Sequence, residues 1–137
     1  MKTLFWFILG GLVFFVIDQF LVHRALKTFL SRTCTGRDWK RRFPDATKDE
    51  IRRFLSIFIN AFGFKSRQIL KFHPDDKITD IYRALYPLPF SADSLELVTL
   101  TMNVQKEYGL DLIEHFNQEM TLGQLFQLIK NIVKNGG

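Results

Sequence analysis

The helix that organises this chain begins at Ala92-Asp93-Ser94-Leu95-Glu96-Leu97-Val98. Asp93 is a favourable N-cap residue, and Glu96, three residues later, completes a pattern close to a capping box. The first backbone N–H groups of a helix have no intrahelical partner and carry partial positive charge, so a phosphate bonded to the Ser94 hydroxyl would be stabilised there. The stretch therefore supports two interpretations, a simple helix cap and a point of covalent attachment.

Helical periodicity before this stretch predicts another helix. Thr47 and Glu50 form a capping-box pattern, and apolar residues follow at helical spacing until Gly63. The first helix of the module is therefore expected over 48–62. A long connection follows it, with a short helical piece at 78–85.

The second helix is expected from Asp93 to Gly109, with a broad apolar face that suits burial inside a bundle. That face consists of Leu95, Leu97, Val98, Leu100, Met102, Val104 and Tyr108. A single helical turn is expected over 113–117, and a last helix opens at Thr121-Leu122-Gly123-Gln124. Because strand-like alternation of useful length does not occur, the sequence predicts an all-α bundle of three main helices plus one short helix.

The amino-terminal segment has the composition of a membrane anchor. Residues 4–17 contain no charge, and Phe20-Leu21-Val22 extends the apolar run to 19 positions, close to the length of a span. The apolar side chains favour insertion by about 4–8 kcal/mol, against a cost of about 3 kcal/mol for Asp18. A cleaved signal peptide is the main alternative, and it fits less well because no small-x-small cleavage site follows Ile17.

The distribution of cations around this segment predicts its orientation. Only Lys2 precedes it, so the carboxyl-terminal side should face the cytoplasm. The cations that follow it are Arg24, Lys27, Arg32, Arg37, Lys40, Arg41 and Arg42. We expect a single-pass protein of the inner (cytoplasmic) membrane, with an anchor at 1–23, a basic juxtamembrane linker at 24–46 and a module at 47–137. The linker suits either a topology signal or a segment lying on anionic membrane lipids.

Charge and cysteine usage exclude several function classes. The net charge is +5, but residues 1–48 carry nine Lys/Arg against three Asp/Glu, whereas residues 49–137 carry ten against eleven. A nucleic-acid-binding module would carry its positive charge on the folded part, so nucleic acid is not an expected partner. Cys34 is the single cysteine, which excludes an intramolecular disulfide and a cysteine-based zinc site. The three histidines share no metal-ligand spacing, so no metal is expected.

From Lys48 to Ile132, the order of elements resembles the acyl carrier protein family, the small carrier domains of fatty-acid and polyketide synthesis. The resemblance depends on Ala92-Asp93-Ser94-Leu95-Glu96-Leu97-Val98, which matches the family's Asp-Ser-Leu signature at the start of its second helix. It continues through Lys106-Glu107-Tyr108-Gly109-Leu110, similar to the end of that helix, and through Glu119-Met120-Thr121, similar to the start of the final one.

The resemblance implies a carrier protein rather than an enzyme. Ser94 would be esterified by 4′-phosphopantetheine, which a phosphopantetheinyl transferase takes from coenzyme A, and the terminal thiol would carry an acyl group as a thioester. Asp93 matches the family's preceding aspartate, a cap or transferase-recognition residue, and Leu95 matches the hydrophobic position after the serine. Acyltransferase or synthase enzymes, including membrane-bound ones, are the expected partners.

Departures from the family pattern concern the surface that partners would meet. Residues Glu96, Leu97, Thr99 and Glu107 are the expected partner-binding positions. Thr99, Gln105 and Lys106 stand where the family commonly has acids, so we expect a dedicated partner. The stretch 84–90 looks like an insertion that covers the site, docks an enzyme, touches the membrane or simply packs over a small core.

Two other function classes fit the sequence less well. The first is an unmodified carrier-like adaptor that binds a protein partner at the membrane. The second is an enzyme with Ser94 as nucleophile, and it is disfavoured because the sequence has no Gly-x-Ser-x-Gly turn and Asp93 alone activates a hydroxyl poorly. An imidazole of His73 or His115 next to Ser94 would be needed to support it.

Overall fold

Helices account for the regular structure in the part of the chain that the computed structural model describes, residues 1–87 and 95–136. They are α1 (Lys2–Leu30), α2 (Gly36–Arg42), α3 (Lys48–Phe62), a 3₁₀ helix (Ser66–Lys71), α4 (Ile78–Leu85), α5 (Leu95–Tyr108), α6 (Leu112–His115) and α7 (Leu122–Gly136). The expected all-α class is confirmed. The longest helices after α1 are α3, α5 and α7, at the places where the sequence predicts the three main helices.

The bounds of α3 follow from local chemistry. The Thr47 hydroxyl accepts a hydrogen bond from the Glu50 backbone N–H at 3.1 Å, and the Glu50 carboxylate accepts one from the Thr47 N–H at 2.9 Å. This reciprocal pair satisfies two N–H groups that the first turn leaves free. Gly63 ends the helix with φ of 75°, a left-handed conformation that favours glycine. The predicted first helix is confirmed at both ends.

The hydrophobic core is centred on aromatic rings contributed by several helices. The Trp39 ring of α2 lies 5.9 Å from the rings of both Phe54 and Phe126, and the Trp39 indole N–H donates to the Phe72 carbonyl at 2.8 Å. Phe43, just after α2, is also buried. Residues 24–46, which the sequence describes as a basic linker, thus include the end of α1 and a helix that is part of the core.

Only one face of α5 is buried, because α5 packs mainly against α3. Leu100 and Val104 are buried. The predicted broad buried face is wrong for three of its members, since Leu95, Val98 and Met102 are 60, 52 and 65% exposed. A helix turns by about 100° per residue, so residues two or five positions from Leu100 lie roughly on the opposite side of the helix. Leu95, Val98 and Met102 therefore point away from α3.

The helix α1 is long and apolar enough to cross a membrane, and its most apolar 18-residue window has a mean hydropathy of 2.1. Its side chains are exposed from the start as far as Ile17. Beyond that point one stripe of the helix is partly covered, namely Asp18, Leu21, Val22, Ala25, Leu26, Phe29 and Leu30. The spacing of three and four residues defines a single helix face. This face packs on α4 and the 3₁₀ helix, so the last turns of α1 belong to the module.

An ion pair fixes the end of α1 to the module. The Arg32 guanidinium donates to both carboxylate oxygens of Asp76, at 2.6 and 2.9 Å. Asp76 is 8% exposed and also accepts the His73 backbone N–H at 2.7 Å. The Lys71 ammonium donates to the Arg32 carbonyl. A bidentate pair with this many donors is geometrically specific, so it fixes the position of α1 relative to the turn at 73–76.

Exchange of Asp76 for Asn should lower the free energy of unfolding of the module by about 2–3 kcal/mol, because it leaves the Arg32 cation without its carboxylate. The loss is smaller than for a fully buried pair because the Arg32 side chain is 32% exposed. The exposed pair Arg42–Asp75, with 47 and 61% exposure, is a matched control, and Asp75→Asn should cost less than about 1 kcal/mol. Denaturant unfolding in detergent micelles, followed by circular dichroism, measures both. Equal losses for the two variants would contradict this role of Asp76.

The start of α7 lies unusually close to the turn at 73–76. The Gly123 N–H donates to the Pro74 carbonyl at 2.8 Å, and a Cβ on Gly123 would lie 2.9 Å from that oxygen. The Leu122 N–H donates to the Asp76 carbonyl at 2.9 Å. The absence of a side chain at Gly123 is therefore what allows α7 to contact this turn.

The substitution Gly123→Ala should destabilise the module by about 1–3 kcal/mol, because Pro74 and the backbone of α7 must move apart. Gly136→Ala is the control, since a Cβ there meets nothing within 4 Å. Urea midpoints of the two variants and the native chain give the comparison. A Gly123→Ala midpoint at or above the native value would show that the contact is not tight.

Candidate functional site

The predicted attachment residues Asp93 and Ser94 lie outside the described residues. The described part of the site starts at Leu95, the first residue of α5, whose side chain is 60% exposed. A large apolar side chain this open, next to Ser94 in the chain, is accessible to a partner protein. The site is therefore built from the first turns of α5 and the segments that hold them.

Glu96 connects the start of α5 to the end of α4. The Tyr86 hydroxyl donates to the Oε1 atom of Glu96, and the Tyr86 ring lies 5.1 Å from the Tyr82 ring of α4. Among the described residues, the buried Oε2 atom of Glu96 has no hydrogen-bond partner. This contact could not be predicted from the sequence, because no local pattern relates a tyrosine after α4 to the first turn of α5.

The other predicted partner-binding residues lie in different environments. Leu97 packs against the core. The Thr99 hydroxyl donates to the Leu95 carbonyl within α5 at 2.8 Å. The Glu107 carboxylate lies 3.6 Å from the Arg53 Nε atom of α3, near the opposite end of α5. The structure thus brings Leu95, Glu96 and Thr99 together at the start of the helix and separates Glu107 from them.

The exposed side of α5 carries an apolar stripe that the sequence interpretation assigned to the core. Leu95, Val98 and Met102 are spaced by three and four residues and share one face. Ile113, 74% exposed, lines a shallow groove together with Met102. The helical spacing alone signals such a stripe, but it does not tell whether the stripe faces the core or solvent. Exposed apolar side chains that line up in this way are typical of a protein-docking surface.

Two other grooves lie elsewhere on the module. One of about 660 Å³ runs between the end of α5 and α7, with Phe43, Phe126 and Ile129 among its apolar lining. Tyr108 also lines it, and burial together with the neighbouring Glu107 charge raises the pKa of its phenol. The two groups lie far along α5 from Ser94, so this groove is separate from the attachment residues.

The other groove, of about 330 Å³, is strongly basic. Arg37, Lys40, Lys48 and Arg52 line it beside Leu70, and its lining within the described residues includes no carboxylate. The Lys40 ammonium is held by the Ala46 carbonyl at 2.6 Å. These residues come from α2 and the first turns of α3, so the groove also lies apart from the start of α5.

His73 and His115 have local partners. The His73 Nδ1 atom accepts the Asp75 backbone N–H at 3.1 Å, and the His115 Nδ1 atom lies 3.1 Å from the Asp111 carbonyl oxygen. Within residues 1–87 and 95–136, no group of three or more His, Cys, Asp or Glu side chains is arranged to hold a metal ion. These contacts give no support to an imidazole base for Ser94.

No protein-family model matches the chain, and neither curated proteins nor solved structures give a match. The function proposed below therefore depends on this chain's own residues.

Proposed function

We propose that this protein is a membrane-anchored acyl carrier. Ser94 would carry 4′-phosphopantetheine, whose thiol holds an acyl group as a thioester. The module would present that group to an acyltransferase or synthase at the cytoplasmic face of the inner membrane. The protein itself would make no bonds in the acyl chain.

The observation that carries the proposal is the Asp93-Ser94-Leu95 sequence directly at the start of α5, a helix of 14 residues. A phosphodiester on Ser94 would lie at the positive end of the helix dipole, which is worth about 0.3–1 kcal/mol. Leu95 is 60% exposed, so the first residue of α5 is accessible to a modifying transferase. The residues present thus fit a covalently attached phosphate-linked arm.

The apolar stripe of α5 supports the same role. Leu95, Val98 and Met102 form an exposed face that begins one residue after Ser94. A partner that docks on this face would be positioned to receive the acyl group. Gln105 and Lys106 flank the stripe at positions where acidic residues would attract a basic partner. Because that negative charge is missing, we propose a dedicated partner rather than general fatty-acid enzymes.

The anchor supports the proposed location. The uncovered part of α1, Lys2–Ile17, carries no charge after Lys2, and the covered stripe that begins at Asp18 packs on the module. Removal of α1 as a signal peptide would expose the surface of α4 beneath it. Cations are concentrated after the apolar run, which favours a cytoplasmic module.

Loading of Ser94 is the decisive measurement. Expression of the full chain with a phosphopantetheinyl transferase should add the mass of one phosphopantetheine, as seen by intact-mass spectrometry. Ser94→Ala should abolish the increment, whereas Ser91→Ala, a matched hydroxyl three residues earlier, should keep it. If transferases that act on diverse carriers leave the native chain unmodified, the anchored adaptor is the better proposal.

A further inference from the structure

We infer that the end of the module that carries Ser94 faces the bilayer, so the acyl group is offered at the depth of the lipid headgroups. The inference takes the role of Ser94 and the insertion of α1 from the proposed function. The orientation itself follows from contacts between described residues, in three steps.

The first step is the connection between α1 and α4. Arg32 lies two residues after the end of α1, and Asp76 lies two residues before the start of α4. Their bidentate ion pair, at 2.6 and 2.9 Å, therefore places the first residue of α4 next to the last turn of α1.

The second step is the direction of α4. The helix α4 contacts α1, and the partly covered stripe of α1 extends from Leu30 only back toward Asp18. The two helices must therefore be antiparallel. Eight residues of α4 cover about 12 Å at about 1.5 Å per residue. Leu85 thus lies about level with Val22, eight residues before the end of α1.

The third step brings the start of α5 to the same level. The hydroxyl of Tyr86, the residue after α4, donates to the Glu96 carboxylate in the first turn of α5. Ser94 is two residues before Glu96, so the two Cα atoms are at most about 7 Å apart. The start of α5, which directly follows Ser94 in the chain, therefore lies near the end of α4 and not near its beginning.

The bilayer surface lies at this level too. The uncovered part of α1, Lys2–Ile17, has 16 residues and a length of about 24 Å, somewhat less than the hydrocarbon core of about 30 Å. Because the uncharged run ends at Ile17 and the charged Asp18 follows it, the module meets the bilayer directly where the covered stripe begins. Phe20 is an exposed apolar side chain at this level of α1, which suits contact with the membrane interface.

The opposite end of α4 lies farther from the bilayer. The Thr79 hydroxyl donates to the Gln118 carbonyl at 2.7 Å, and the Lys77 ammonium pairs with the Glu119 carboxylate. This pair raises the pKa of Lys77 and lowers that of Glu119. The turn at 117–121 therefore lies beside the start of α4, about 12 Å farther from the membrane than Leu85.

The orientation defines the class of partner. An arm attached at the membrane-facing end delivers its acyl group to an enzyme embedded in the same bilayer, with an active site that opens at headgroup depth. Because α1 packs on the module, the carrier is presented in one orientation, which raises its effective concentration at such a site beyond that of a flexible tether.

Depth-dependent fluorescence quenching tests the orientation. The full chain in a Cys34→Ser background receives one new cysteine, Val98→Cys in α5 or the control Gln118→Cys, both at exposed positions. Each is labelled with a small fluorophore and reconstituted into phosphatidylglycerol–phosphatidylcholine vesicles that contain a lipid with a nitroxide on its headgroup. Circular dichroism verifies the helix content, and flotation isolates the vesicle-bound chain.

Quenching at Val98→Cys should exceed quenching at Gln118→Cys several-fold. Equal quenching at the two positions, stronger quenching at Gln118→Cys, or failure of the chain to float with the vesicles would overturn the inference. The same measurement in a Ser94→Ala background should give the same contrast, because the orientation needs no prosthetic group. A missing mass increment with an intact quenching contrast would thus reject the carrier function alone.

Discussion

The Asp76 side chain and backbone are the junction on which the arrangement of the described helices depends. The carboxylate accepts both Arg32 nitrogens and the His73 N–H, and the carbonyl accepts the Leu122 N–H. One residue therefore connects the end of α1, the turn at 73–76 and the start of α7. Because the carboxylate is almost fully buried, its three donors are needed to offset the loss of hydration, and each donor segment is held in one position.

In the proposed carrier, this junction would let the membrane anchor orient the module as well as tether it. A flexible linker only keeps a module near the bilayer, whereas the packed stripe of α1 and the Arg32–Asp76 pair also give it an orientation. In the inferred orientation, with α4 antiparallel to α1 and Tyr86 bonded to Glu96, the start of α5 would lie on the membrane side. The anchor and the start of α5 would then form one geometric unit.

Some apolar residues of α5 stabilise the core, and others are exposed and available for recognition. Leu100 and Val104 are buried against the core, while Leu95, Val98 and Met102 remain open. Burial of an apolar side chain contributes about 1.5–3 kcal/mol, so leaving three of them exposed forgoes stability unless a partner covers them. The open stripe begins one residue after Ser94 in the chain, which is where a partner would dock to reach the proposed arm.

The sequence by itself determined the helix class and the bounds of α3 and α4, because these depend on neighbouring residues. The Thr47–Glu50 box and Gly63 bound α3, and a run without charge marks α1. Only the tertiary structure decided that Trp39 is part of the core, which face of α5 stays open, and that Arg32 binds Asp76, 44 residues away. Those outcomes depend on which segments meet in space, and neither periodicity nor capping patterns carry that information.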